Sequence, residues 1–114
     1  MSVVEKSFLG SLLKAEYLIK DTVIRPEQLE STCHRDLLRR MIVFSEAGKH
    51  IDLISMTTLP DLEDFGGMSY LSELLSHADV EKFDEIEEIL IELWKEREKR
   101  NLLTLAALND WEIA

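Results

Sequence analysis

Apolar residues recur every three or four positions along most of the chain, and this spacing predicts helices. The first stripe comprises Val4, Phe8, Leu12 and Leu13, with Gly10 on a neighbouring face where close packing needs a small residue. The alternation of apolar and polar residues that typifies a strand occurs only in the short stretch HIDLISM. The sequence therefore predicts an all-α fold, a compact bundle of about six helices.

Proline, glycine and capping residues mark the boundaries of these helices. A short helix is expected across AEYLIKDTVI, and Arg25-Pro26 then breaks the chain, because proline moves its predecessor away from helical angles. The clearest helix lies in STCHRDLLRRMIVFSEAG, where Ser31 or Thr32 can cap the start and Gly48 can form the turn at the end. Its buried stripe should comprise Leu37, Leu38, Met41, Ile42 and Phe44.

A glycine pair in the stretch EDFGGMSYLSELL could either cradle a phosphate or turn the chain between two helices. A phosphate-binding loop needs spaced glycines and a Lys-Ser or Lys-Thr pair, and this stretch has neither. The carboxylates of Asp61, Glu63 and Asp64 would also repel a phosphate. We therefore interpret Gly66 and Gly67 as a structural turn that needs a residue tolerant of positive φ.

The longest predicted helix follows Asp79 and ends near residue 107. Its near-heptad stripe comprises Phe83, Ile86, Leu90, Leu93, Trp94, Leu102 and Leu105. At 1.5 Å per residue it would be about 40 Å long, more than a domain of this size needs to span its core. Part of the stripe should therefore stay uncovered and form an oligomer or partner interface. Asn109 or Asp110 is expected to begin a further helix.

The charge of the chain is concentrated in one segment. The formal net charge is −10, and residues 61–92 hold 11 acidic residues and one basic residue, whereas residues 1–60 hold 8 of each. Such a surface repels phosphate, so we predict little direct nucleic-acid binding and favour either a basic protein partner or simple solubility. The smaller basic cluster of Arg35, Arg39 and Arg40 could meet the acidic segment of another copy.

The remaining composition favours a cytoplasmic protein without chemistry of its own. A single cysteine, Cys33, excludes an intrachain disulfide, and neither a membrane span nor a signal peptide is evident. Cys33 and His34 point about 100° apart on a helix and cannot share a metal, so we interpret them as a buried thiol beside a half-exposed imidazole. We expect no catalytic, cofactor or metal site in this chain.

Five motifs, read in order, resemble the N-terminal domain of replicative DNA helicases of the DnaB type. They are LGSLL at positions 9–13, PEQL at 26–29, His34-Arg35, GKHID at 48–52 and GGMSYL at 66–71. The resemblance covers nearly the whole chain but loosens after Asp79, where an acidic run stands in place of the family's Ala and Asn.

The resemblance implies a helical head followed by a helical hairpin. Residues 1–78 would be the head, 79–108 the first arm, and 109–114 the start of a truncated second arm. In that family the heads pair through their hairpins, three pairs form a collar on a hexameric ring, and the collar contacts primase and helicase loaders. ATP and magnesium would belong to a motor domain that this chain lacks, so no catalytic residue carries over.

The resemblance thus implies the assembly and partner-docking domain of an ATP-dependent helicase of DNA replication, of bacterial or phage origin. The alternative is a free-standing acidic helical adaptor or regulator of a replication complex. The two differ in whether the native reading frame continues past Ala114 into a second helix, a linker and a motor domain.

Overall fold

The chain folds into six α-helices joined by short turns. The computed structural model describes the backbone of residues 2–113 and the side chains of residues 2–104. Within that range it has no strand, which confirms the all-α prediction. The helices are α1 Val3–Lys14, α2 Leu18–Asp21, α3 Thr32–Glu46, α4 Leu53–Met56, α5 Gly67–Ser76 and α6 Phe83–Ile113, with 3-10 turns at Pro26–Gln28, Leu62–Phe65 and Val80–Lys82.

Side-chain caps fix where several of these helices begin. The hydroxyl of Ser2 accepts a hydrogen bond from the amide of Glu5, and the carboxylate of Asp52 accepts one from the amide of Ser55. Of the two residues predicted to cap α3, Ser31 is the cap, since its hydroxyl accepts the amide of His34. Each cap satisfies an amide that has no partner within its helix.

The core lies between α1, α3, α5 and the first half of α6. Three residues of α1, Phe8, Leu9 and Leu12, are fully buried at its centre. The other fully buried hydrophobic residues include Leu37, Leu38, Met41, Met56, Leu71 and Leu74. Two residues predicted for the buried stripe of α3, Ile42 and Phe44, only pack against the edge of this core and are partly buried.

Helices α1 and α5 approach so closely that the contact requires a glycine. A Cβ atom added at Gly10 would lie 1.8 Å from the carbonyl oxygen of Leu74 and 2.7 Å from its carbonyl carbon. Next to this contact, the hydroxyl of Ser11 accepts the backbone amide of Asp79 at 2.9 Å. The start of the α6 segment is therefore attached to the same point on α1.

Helix α6 is much longer than the rest of the molecule is wide. Its 31 residues correspond to about 46 Å, whereas the two shorter extents of the molecule are 31 and 25 Å. The backbone stays helical through Asn109 and Asp110 to Ile113, so the turn predicted there is absent from the described helix. The physical reason is that residues 68–114 contain neither glycine nor proline, and Asn and Asp end a helix only weakly.

Replacing Gly10 with alanine should destabilise the fold, although alanine favours an unconstrained helix. We expect Gly10→Ala to lower the free energy of unfolding by about 3 kcal/mol, because the new methyl group meets rigid backbone. Urea denaturation monitored by circular dichroism measures this loss. Val3→Ala, at an exposed position of the same helix, should change stability by less than about 0.5 kcal/mol. A stabilised Gly10→Ala variant would contradict the close approach of α1 and α5.

Candidate docking surface on the long helix

The first half of α6 belongs to the core of the head. Phe83, Ile86 and Leu90 are buried, and the ring of Phe83 stacks on Phe8 with 5.5 Å between centroids. All three belong to the stripe predicted as a candidate interface. In the folded chain they lie in the part of the stripe that α1 and its neighbours cover.

The second half of α6 carries apolar side chains that the head does not cover. Leu93 is 42% exposed, Leu102 66% and Leu103 61%, while Trp94 is half-buried. Trp94, Leu102 and Leu103 border the same hollow, and we call these three residues the distal stripe. Leu93 precedes Leu102 by nine residues and therefore lies on the opposite face of the helix. Leu105, also predicted for the interface, has a side chain outside the described residues. Leu103 was not among the residues that the sequence singled out.

Three hydrogen bonds hold α6 against the segment between α2 and α3. The carboxylate of Glu87 accepts the Thr22 hydroxyl at 2.5 Å and the Val23 amide at 3.0 Å. One turn beyond Trp94, the guanidinium of Arg97 donates to the carbonyl oxygen of Gln28 at 2.5 Å. These contacts fix the direction of the helix on both sides of Leu93. The distal stripe therefore extends from an anchored helix.

Charge divides the exposed surface of α6 into two zones. The first zone is acidic, with exposed carboxylates at Asp84, Glu85, Glu88 and Glu92. The second begins after Trp94 and carries exposed basic side chains at Lys95, Lys99 and Arg100, interspersed with Glu96 and Glu98. The apolar distal stripe begins at the end of the acidic zone and runs along the basic one.

The arginine cluster of α3, which could meet the acidic segment 61–92 of another copy, makes contacts within its own head. Arg35 donates to the carbonyl oxygens of Leu29 and Glu30 of its own chain. Arg39 pairs with Asp36 and Arg40 with Asp61. All three guanidinium groups therefore have partners within the head.

The glycine pair forms the turn into α5. Gly66 has φ +91° and Gly67 +68°, both in the left-handed region that side chains disfavour. A Cβ atom at Gly66 would lie 2.6 Å from that of Tyr70, and one at Gly67 would lie 3.2 Å from the carboxylate oxygens of Glu63. A carboxylate beside the turn disfavours a phosphate there. Gly48, after α3, also has positive φ at +73°, but faces open space.

A buried polar chain links α1, α3 and α5. The Nδ1 atom of His34 lies 2.7 Å from Oε1 of Glu5, and its Nε2 atom lies 2.5 Å from the hydroxyl of Tyr70. Since an ionised carboxylate can only accept, Nδ1 carries a proton and donates to Glu5. The other carboxylate oxygen of Glu5 accepts the backbone amide of Glu30 at 2.6 Å. These hydrogen bonds therefore also fix the segment that leads into α3.

Burial and these contacts shift the pKa values of Glu5 and Tyr70. Burial alone would raise the pKa of Glu5, but hydrogen bonds from His34 and from the amides of Glu30 and Ser31 hold it below the ordinary value. Burial, with nearby negative groups, raises the pKa of Tyr70 to about 12. Glu5 is thus kept as a carboxylate and Tyr70 as a neutral phenol, which is the state that donates hydrogen bonds.

The interpretation of Cys33 and His34 from the sequence was reversed. His34 is fully buried, whereas Cys33 is partly exposed. The reason is that Glu5 and Tyr70 provide partners for both ring nitrogens, so the imidazole can be buried without an unsatisfied polar atom. Burial raises the pKa of the Cys33 thiol, which makes it a poorer nucleophile.

Among the described side chains, the one group of possible metal ligands is Glu16, His50 and Asp52. None of these three belongs to α6. No helix within the described residues is both long enough and apolar enough to cross a membrane. The exposed part of α6 is a surface that carries both charged and apolar side chains.

The sequence matches the family model of the DnaB-like helicase N-terminal domain over residues 2–92. The chain belongs to this family. The match ends within the first half of α6, so the whole distal stripe lies beyond it. None of the curated proteins matches the chain.

Two solved structures share the fold of this family domain. The N-terminal domain of DnaB helicase from Mycobacterium tuberculosis superposes with a TM-score of 0.89 at 21% identity, over 96% of this chain and 84% of that one. A DnaB-like replicative helicase, described with its interactions with primase, superposes with a TM-score of 0.82 at 24% identity. That match covers 94% of this chain but 27% of the helicase. The chain therefore spans about a quarter of the length of that helicase.

The buried hydrogen bonds of Glu5 predict that its substitution lowers stability in a pH-dependent way. At neutral pH we expect Glu5→Gln to lower the free energy of unfolding by about 1–3 kcal/mol, because the amide cannot accept every hydrogen bond that the carboxylate does. Since the folded state lowers the pKa of Glu5, its contribution is present above the ordinary value of 4.5 and is lost as the pH falls through the folded-state pKa.

Urea denaturation at a series of pH values measures the difference between the wild-type chain and Glu5→Gln. That difference should shrink on acidification below 4.5. Glu27→Gln, an exposed carboxylate in the 3-10 turn at Pro26–Gln28, serves as the control and should change stability little at any pH. A difference that stays constant with pH would show that Glu5 is not the stabilising carboxylate.

Proposed function

We propose that this domain mediates assembly and partner docking in a replicative DNA helicase, with the distal stripe of α6 as its contact surface. Family membership supports the helicase setting. The observation that carries the docking role is the exposure of Leu102 and Leu103 beside Trp94, on a helix that the head anchors but does not cover. Exposed leucines grouped on one projecting helix mark an interaction site more often than scattered ones do.

Pairing with a second copy is the first role that we assign to this surface. If two α6 helices lay antiparallel, the acidic zone of one, such as Glu88 and Glu92, would face the basic zone of the other, such as Lys95 and Lys99. Such an arrangement is self-complementary and buries the same residues on both copies, as a twofold interface requires. Pairs formed in this way would be the building blocks of a hexameric collar.

Primase is the second partner that we propose, together with a helicase loader. A DnaB-like replicative helicase of the same fold is described with its interactions with primase. The exposed carboxylates of Asp84, Glu85, Glu88 and Glu92 would suit a basic surface on either protein. The same charges make direct binding to DNA weak, so this domain would act through protein contacts.

Unwinding itself would belong to a part of the helicase outside this chain. The chain covers 27% of the DnaB-like helicase that shares its fold. A motor domain binding ATP and magnesium would supply the chemistry, in the cytoplasm of a bacterium or of a phage-infected cell. Pairing of heads would then set the symmetry of the ring, and partner binding would act on the motor by biasing the conformation of the collar.

Charge substitution in the distal stripe tests the docking role. Sedimentation velocity of the 114-residue chain over a range of concentrations should detect self-association. Leu102→Glu combined with Leu103→Glu should weaken it by at least about tenfold, because two carboxylates would be buried in the interface. Ile54→Glu places a carboxylate on α4 of the head, where the side chain is 80% exposed, and should leave association unchanged.

Leu90→Glu separates the core from the interface. This buried position should lose helical structure and thermal stability, whereas the double variant at Leu102 and Leu103 should keep both. A wild-type chain that stays monomeric at every concentration, or a double variant that associates as the wild type does, would refute pairing through the distal stripe. Association that Ile54→Glu abolishes would place the interface on the head.

A further inference from the structure

Three side chains from separate segments converge at one corner of the head. Glu16 lies between α1 and α2, His50 follows α3, and Asp52 caps α4. One ligand atom from each lies within 4.8 Å of the other two. The three residues occupy a surface of the head that α6 does not enter, and neither docking nor assembly requires an imidazole between two carboxylates there.

We propose that Glu16, His50 and Asp52 form a binding site for a divalent transition-metal ion of the Zn²⁺ type. Imidazole and carboxylate are ligands that zinc accepts, whereas Mg²⁺ and Ca²⁺ prefer oxygen ligands alone. Two carboxylates and a neutral imidazole carry a combined charge that balances a doubly charged ion. Three protein ligands would leave the remaining coordination position to water, and Glu16 and His50 border a hollow of about 260 Å³.

Backbone amides hold both carboxylates in position. Oε1 of Glu16 lies 2.6 Å from Nδ1 of His50, while its Oε2 accepts the amide of Ile51 at 3.2 Å. Oδ1 of Asp52 accepts the amide of Ser55 at 2.8 Å. The ligands of a tetrahedral zinc are roughly 3.4 Å apart, so His50 has to turn away from Glu16 to admit the ion. His50 is exposed and can make that movement.

A bound ion would join three segments that no helix joins directly. It would connect the end of α1 to the turn after α3 and to the start of α4. An ion that binds the folded chain and not the unfolded one raises the melting temperature. The site therefore predicts both saturable binding and thermal stabilisation by the same ion.

Isothermal titration of the 114-residue chain with ZnCl₂, paired with thermal melts, tests the site. We expect one Zn²⁺ per chain and a higher melting temperature. Even an outer-shell partner of a metal is worth roughly 10–100-fold in affinity, so His50→Gln, Asp52→Asn and Glu16→Gln should each weaken binding by at least about tenfold. Asparagine at 52 can still cap α4, and glutamine at 16 can still accept the amide of Ile51, so these variants should fold.

His77→Gln, at the C-terminal end of α5, is the matched control and should bind Zn²⁺ as the wild type does. Absence of saturable binding to the wild-type chain would overturn the proposal. So would binding that both carboxylate variants retain and His50→Gln abolishes, since that pattern describes a lone surface imidazole. Equal losses in His77→Gln and His50→Gln would place the metal elsewhere.

Discussion

The buried carboxylate of Glu5 is the interaction on which the head depends. It lies on α1, accepts the imidazole of His34 on α3, and accepts the backbone amide of Glu30 in the segment before α3. His34 in turn contacts Tyr70 on α5. A buried charge is costly unless hydrogen bonds replace the water that it loses, and here backbone and side-chain donors do so. The donors to Glu5 lie on α3 and in the segment before it, and His34 also contacts α5. These directional contacts restrict how α1, α3 and α5 can be arranged more than apolar contacts alone would.

The close contact of α1 and α5 at Gly10 determines where α6 begins on the head. With no side chain at that position, α5 lies directly against α1, and Ser11 is close enough to accept the amide of Asp79. Phe83 then stacks on Phe8, while Glu87 and Arg97 bind the segment between α2 and α3. The long helix therefore leaves the head in a fixed direction. A projecting helix that could change its direction relative to the head would lose more conformational entropy on binding a partner. It would also not couple the orientation of that partner to the head.

Structural features that depend on a single helix could be predicted from the sequence. Contacts that depend on which helices pack together could not. Heptad spacing predicted that the last helix is long, although the α-helix begins at Phe83 after a 3-10 turn and runs to Ile113, past the predicted end. The small residue beside the α1 stripe pointed to the close contact at Gly10. The pairing of Glu5 with His34 escaped prediction because each residue, taken alone, resembles an ordinary surface position of its own helix. Glu16 and His50 are likewise separated by 34 positions, so local spacing could not indicate that they meet. The turn expected at Asn109 failed for a local reason, since no glycine or proline enforces it.

The division of the α6 stripe shows how one periodic pattern can serve two purposes. Leu90 and Leu102 are both leucines of the same stripe, yet the first is buried and the second is 66% exposed. The difference lies in the head, which contacts α6 at Arg97, about two turns past Leu90, whereas Leu102 lies beyond that contact. A longer head would have buried the whole stripe and left nothing for a partner. A shorter α6 would have satisfied the head and exposed no leucines. The length of the helix beyond the core that it covers is therefore the property on which the proposed docking role depends.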